Sequence, residues 1–245
     1  MYNNRRAEYI SRSAREIVYI LAEELPPEPE SLPEFSPEFP SESFPEFPPE
    51  PLEDLPNEFQ VKQEYFNNND IVGHLWIEGT AINYLVLQST DNEFYLYHDI
   101  HKNPSSAGWI FLDYYVNLSY PNQNTVIYGH NMRSGIMFHN IRYFANYYFL
   151  RNHSIINLNT VYGSTKWQVF AFYTAHISFP YTHINFENEA QWAFMLERFI
   201  EASIHDTGIT PASDDRILTL STCVSNGDRD MRYVLQAKLI KNGGS

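Results

Sequence analysis

From about Asn67 onward, short apolar runs rich in β-branched and aromatic residues alternate with breaks of Gly, Asn, Asp or Ser. Ile71–Ile77, Asn83–Gln88, Trp109–Tyr114, Thr125–Tyr128, Ser154–Leu158, Trp167–Tyr173, Arg216–Leu220 and Tyr233–Ile240 each predict a strand. Two segments repeat apolar residues every three or four positions instead and predict helices. These are Met137–Tyr148, and Glu189–Ser203 with Trp192, Met195, Leu196 and Phe199 on one face. A third amphipathic stripe, Ile10, Ala14, Ile17, Val18, Leu21, Ala22 and Leu25, predicts an N-terminal helix that Pro26 stops. Eight short strands with helices between them predict a mainly β fold, a closed eight-stranded β-barrel with inserted helices, because closure removes exposed edges.

Charge divides the chain. The formal net charge is −14, yet 12 carboxylates and no Lys or Arg lie between Glu23 and Glu58, so the remainder is close to neutral. Eleven of the 15 prolines fall in the same stretch, with Pro33-Glu34-Phe35, Pro37-Glu38-Phe39 and Pro45-Glu46-Phe47 as an irregular repeat. Proline fixes φ and lacks a donor, and the carboxylates repel, so the tract predicts an extended spacer; its phenylalanines also suit a docking or self-covering segment. The expected organisation is an amphipathic helix over 1–25, a Pro/Glu/Phe-rich acidic linker over 26–58 and a catalytic domain over 59–245. The acidity excludes a basic nucleic-acid footprint and electrostatic binding to anionic membranes. Apolar runs fall short of the roughly 20 residues that cross a bilayer, so the chain as it stands is expected to be soluble.

Cys223 is the single cysteine, which excludes an intramolecular disulfide and a thiolate-rich zinc site. No His-Glu-x-x-His pair and no glycine-rich phosphate loop occurs, so no metal or other cofactor is expected. Alone, a cysteine is better explained by an inert buried thiol than by a nucleophile. Its position changes that: it ends the run Ile217-Leu218-Thr219-Leu220-Ser221-Thr222 beside the loop Val224–Met231, where a thiol can face a cleft. Arg232 opens the next strand, and an antiparallel hairpin would bring it beside Cys223; Arg229 competes for the same role, and spacing does not choose. Among nine histidines, His130 stands apart because it follows a strand end and Gly129, which would let the backbone turn and the imidazole project.

The run Thr219-Leu220-Ser221-Thr222-Cys223 with Arg232 leading a Val/Leu-rich last strand resembles the active-site signature of sortases. Asn124-Thr125-Val126-Ile127-Tyr128-Gly129-His130-Asn131-Met132 resembles the histidine strand of the class B branch. Asp70–Ile77 with Gly79–Tyr84, Asp91–Leu96 and Gly108–Tyr114 extend the resemblance in order along the chain to Ile240. Leu85 stands where the branch usually has proline, and the Val224–Met231 loop lacks its usual aromatics. Members of the family carry an N-terminal membrane anchor, which here is expected upstream of Met1 or to have been removed.

The resemblance implies a cysteine transpeptidase at the extracellular face of the cell membrane. It implies cleavage of an Asn-Pro-x-Thr-like sorting signal after Thr, a thioacyl intermediate on Cys223, and transfer to a cell-wall amine. His130 is expected to move protons and Arg232 to face the oxyanion or hold peptide carbonyls. Asn92, Leu96, Tyr128, Tyr181, Thr182, Ser221 and Thr222 match residues lining the signal groove. With ordinary pKa values of roughly 8.5 and 6.5, an independent thiol and imidazole would both be charged in under ~1% of molecules at pH 7, so a minor population is expected to do the work. Competing readings are a cysteine hydrolase, a pilin-polymerising sortase with a lysine acceptor, and a non-enzymatic surface module that uses the Pro-Glu-Phe tract.

Overall fold

The computed structural model describes residues 58–224 and 230–241. The amphipathic segment 1–25, the acidic tract up to residue 57 and Arg229 lie outside the described residues.

A nine-residue helix, α1 (Glu58–Phe66), leads into eight strands. They are β1 (Ile71–Trp76), β2 (Asn83–Leu87), β3 (Phe111–Leu112), β4 (Asn124–Tyr128), β5 (Ile155–Thr160), β6 (Gly163–His176), β7 (Ile217–Cys223) and β8 (Met231–Leu239). They close in the order β1-β2-β3-β4-β7-β8-β6-β5, with β5 paired back to β1. The β2–β3 and β4–β7 pairs are parallel and the other pairs antiparallel. The expected closed eight-stranded barrel is therefore present.

Period-two alternation splits each strand between the lumen and an outer layer. Leu75, Val86, Leu112, Ile127, Ile156, Val169, Leu218, Leu220, Leu235 and Ala237 fill the lumen. On one outer face, Ile217, Val234 and Tyr173 pack under α3 (Glu189–Ala202), which buries Trp192, Met195, Leu196 and Phe199 as the sequence predicts. On another, Ile71, Leu87 and Phe111 pack under Tyr95 and Ile100. Asn188 starts α3 by accepting the Gln191 N–H, which satisfies one donor that the helix leaves free.

Three local expectations change. The segment read as one helix over 137–148 is a 3₁₀ stretch, Phe138–Ala145, followed by a separate helix α2 (Tyr147–Asn152). Asn146 makes the break: its side chain accepts the N–H groups of Tyr148 and Phe149 and starts a new helix there. The run Trp109–Tyr114 keeps strand pairing only over Phe111–Leu112, because the Asp113 carboxylate accepts the Tyr115 N–H and turns the chain. The strand read over Trp167–Tyr173 spans Gly163–His176, since Gly-Ser-Thr-Lys at its start has the composition of a turn yet pairs with β5. No helix among the described residues is long and apolar enough to cross a membrane.

Asp215 anchors the entry to β7. Its Oδ2 accepts the Ala212 N–H at 2.9 Å and Lys238 Nζ at 3.1 Å, and Lys241 Nζ lies 3.0 Å from Oδ1. Burial alone would raise this carboxyl, but the Ala212 N–H and the two lysines outweigh it and hold it below its usual range. Its stabilisation is thus in force above the unfolded carboxylate value of roughly 3.9 and is lost as pH falls through the lower folded value. Asp215→Ala leaves Lys238 without this partner and is expected to cost about 3 kcal/mol in a urea or thermal unfolding experiment at neutral pH.

Candidate active site

Strand pairing places two of the three residues nominated for chemistry side by side, and the third follows the end of β4. Cys223 and Arg232 are direct partners in the β7–β8 pair, so the hairpin that the sequence suggests is formed. Along the parallel β4–β7 pair the register ends at Tyr128 opposite Ser221, and His130 follows two residues beyond it. Two hydrogen bonds tie the residues on either side of His130 to the end of β7. Gly129 N–H donates to the Ser221 carbonyl at 3.2 Å, and Asn131 Nδ2 donates to the Cys223 carbonyl at 2.9 Å. Cys223, His130 and Arg232 are each half-buried, as groups that must meet both protein and substrate need to be.

The imidazole is held from the opposite side. His130 Nε2 lies 2.8 Å from the Leu96 carbonyl. A carbonyl only accepts, so Nε2 carries the hydrogen, and Nδ1 is the nitrogen left to exchange protons. Among the described residues the ring's hydrogen bond is to Leu96 and not to the sulfur. Arg232 Nη1 donates to its neighbouring Met231 carbonyl at 2.9 Å, which orients the guanidinium at the strand start.

Glycine requirements differ from the sequence reading. Gly129 was expected to provide a sharp turn, but it has no positive φ. What it provides is room: a Cβ there would sit 2.3 Å from Ile110 Cδ1 and 2.9 Å from Phe138 Cδ2. The left-handed position is Gly108, with φ +56°, where a Cβ would meet the carbonyl oxygens of Tyr95 at 2.4 Å and Leu96 at 2.7 Å and His130 Cδ2 at 3.0 Å. Gly108→Ala is therefore expected to displace the histidine from its carbonyl and to lower peptide turnover by about 10²-fold, the scale of a 1 Å misplacement. Gly135→Ala is the control: it shares a positive φ but meets nothing within 4 Å, and its activity should stay near wild type.

The seven residues matched to the signal groove fall into two sets. Asn92, Leu96, Tyr128 and Thr182 are half-buried and accessible. Tyr181, Ser221 and Thr222 are buried, at 3%, 2% and 2% exposure, so their side chains support the surface more than they form it. The Tyr181 hydroxyl lies 3.1 Å from Ser221 Oγ. Burial pushes that phenol up, while Ser221 and Arg232 pull it down and Cys223 pushes it up, so both the thiol and the guanidinium are felt there. Thr222 points the other way, on the lumen side with its strand partner Tyr233, and its hydroxyl has no hydrogen-bond partner among the described residues.

The loop carrying Tyr181 shows no pattern in the sequence, yet a polar relay ties it down. Gln236 Nε2 donates to Thr219 Oγ1 at 3.1 Å, and Thr219 donates to Asn124 Oδ1 at 2.7 Å. Asn124 Nδ2 in turn donates to the carbonyls of Tyr181 and His183, both at 2.9 Å. Sequence reasoning also passed over Asn131 and His139: Nδ1 of His139 lies 3.0 Å from Asn131 Oδ1 and so donates to it, while the Asn131 amide donates to the Cys223 carbonyl. Burial, and then Arg142, lower the pKa of His139. Among the described residues no cluster of His, Cys, Asp or Glu could hold a metal ion.

A sequence model of the Sortase domain matches residues 75–240. Sortase B of Listeria monocytogenes serovar 1/2a is 34% identical over 174 residues, 71% of each chain. Sortase B of Staphylococcus aureus is 34% identical over 175 residues, 71% of this chain and 72% of that one. A Staphylococcus aureus sortase B–substrate complex superposes with a TM-score of 0.70 at 33% identity, covering 75% of this chain and 84% of the other. The barrel and these likenesses agree: the chain belongs to the sortase family, in its class B branch of cysteine transpeptidases that anchor surface proteins on Gram-positive cells.

Proposed function

We propose that this transpeptidase acts on an Asn-Pro-x-Thr-like signal, cleaves it after Thr, and passes the acyl group to a cell-wall amine, with Cys223, His130 and Arg232 as its catalytic residues. The observation that supports the assignment is the pairing of Cys223 with Arg232, with the neighbours of His130, Gly129 and Asn131, bonded to the carbonyls of Ser221 and Cys223. In the first step the Cys223 sulfur forms a bond to the Thr carbonyl carbon while the Thr C–N bond breaks. His130 Nδ1 gives its proton to the departing amine. In the second step an incoming amine attacks the thioester, His130 takes a proton from that amine, and the sulfur leaves as thiolate. Arg232, fixed at the mouth of the hairpin, offers guanidinium N–H groups to the oxygen on which charge develops.

The missing sulfur–imidazole hydrogen bond supports a histidine that serves the leaving amine instead of a permanent ion pair. Asn92, Leu96, Tyr128 and Thr182 supply the accessible wall for the peptide, and Tyr181 and Ser221 brace it from beneath. Native anchoring to the membrane through an N-terminal segment is part of the same proposal.

The experiment is incubation with a fluorogenic Asn-Pro-x-Thr peptide, with and without an amine acceptor, followed by mass spectrometry. A product joined to the amine supports the proposal. Release of free acid only, with acceptor present, would assign a hydrolase, and an untouched peptide would remove the signal motif.

A further inference from the structure

A buried carboxylate outside the nominated set gathers two groove residues. Asp113 is 4% exposed and directly follows β3, where its N–H donates to the Val126 carbonyl at 2.9 Å, two residues before Tyr128. Its Oδ2 accepts the Tyr128 hydroxyl at 2.8 Å and the Asn92 amide Nδ2 at 2.9 Å. Its Oδ1 accepts the Tyr115 N–H at 2.9 Å. The Tyr114 N–H donates to Asn92 Oδ1 at 3.0 Å. Among the described residues no lysine or arginine shares this carboxylate's hydrogen bonds, and each donor named is neutral.

The consequence is a fixed hydrogen-bond polarity. An ionised carboxylate only accepts, so Asn92 must turn its NH₂ toward Asp113, and the Tyr114 N–H selects the same amide orientation from the other end. One Asn92 N–H remains, and it can only donate. The Tyr128 hydroxyl spends its hydrogen on Asp113, so toward other groups its oxygen can only accept. Burial, and then the Asp113 charge, push the Tyr128 phenol far up, so it stays protonated throughout the accessible pH range.

We propose that Asp113 is a positioning residue that sets Asn92 as a donor and Tyr128 as an acceptor along the signal-peptide groove. The main chain of an extended peptide alternates C=O and N–H, and such a preset pair selects one register of it without reorganising on binding. The inference rests on the groove assignment made above and deepens it: substrate discrimination depends on a carboxylate that lies beneath the wall and touches no substrate.

The test is Asp113→Asn, which keeps the shape but replaces one acceptor oxygen with an NH₂, so that no amide orientation accepts from all three donors. Its KM for the Asn-Pro-x-Thr peptide should rise about tenfold or more while kcat changes by less than about threefold, the scale of one lost charge-assisted hydrogen bond. Alkylation of Cys223 by iodoacetamide should keep its wild-type rate, which shows that the thiol and its surroundings are intact. Tyr128→Phe in the Asp113→Asn background should add little to the KM increase, because both changes remove the same link. An unchanged KM with only a lower melting temperature, or two penalties that multiply, would overturn the proposal.

If the wild-type protein leaves the peptide untouched, the substrate reading fails on its own, and an NMR measurement still decides this one. One Asn92 side-chain amide proton should exchange slowly in the wild-type protein and quickly in Asp113→Asn. Equal exchange in the two proteins would sink the positioning role.

Discussion

Replacing Cys223 with alanine is expected to abolish both signal cleavage and transfer, and to leave the fold in place. The sulfur is the only thiol in the chain, so no neighbour can take over the thioacyl intermediate. Its carbonyl is held by the Asn131 amide, and its strand register is set by backbone pairing to Arg232; alanine retains both. The residue ends a strand in a half-buried position, so deleting one sulfur creates no sealed cavity and stability should move by less than about 1 kcal/mol. Mass spectrometry after exposure to the peptide should show an acyl adduct on the wild-type protein and none on Cys223→Ala, with equal melting temperatures. A variant that still joins peptide to amine would show that the thiol is structural.

Removal of the guanidinium is expected to have the next largest effect. Arg232→Ala should lower kcat/KM by about 10²- to 10³-fold, the cost of losing one donor to a developing oxyanion. Arg232→Lys should recover only part of this. A lysine restores the charge but not the planar fork, and the β7–β8 register sets the Cα too firmly for the shorter set of donors to follow the oxygen. The split between the two variants separates charge from geometry: equal activity of Lys and Arg would reduce the role to a surface charge. Steady-state kinetics with the same fluorogenic peptide measures it. The Tyr181 phenol offers a second readout, since Arg232 pulls its pKa down from the value that burial alone would impose. Arg232→Ala should therefore raise it further in a spectrophotometric titration.

How far the site was legible depended on what each residue interacts with. The strand end at Cys223, the hairpin to Arg232 and the strand end at His130 are signalled by neighbours in the sequence, and the resemblance to sortases rests on the same short runs. The supporting groups are different. The carbonyl that orients His130 belongs to Leu96, 34 residues away, and a main-chain oxygen has no residue type to announce it. Leu96 was nominated for its side chain, while the structure gives its backbone a second task. Asp113 sat inside a matched run, yet nothing local links it to Asn92, 21 residues before, or to Tyr128, 15 residues after. Tyr181 lies in an unpatterned loop because the Asn124–Thr219–Gln236 relay that holds it spans strands 95 positions apart.

Alternation of apolar and polar residues, with Gly, Asn and Asp between the runs, was enough by itself to predict a closed eight-stranded barrel and the buried face of the helix over Glu189–Ala202, while the short runs that resemble sortases chose Arg232 over Arg229 and joined it to Cys223 and His130. Those signals are local, because a period of two or of 3.6 residues is written within a few positions of itself. The tertiary structure alone decided where β3 gives way to the Asp113 turn, where Asn146 divides the segment read as a single helix, and which side each groove residue presents. Such outcomes are settled by competition between long-range partners for a few donors and acceptors, and the winner depends on which strands closure of the barrel brings side by side.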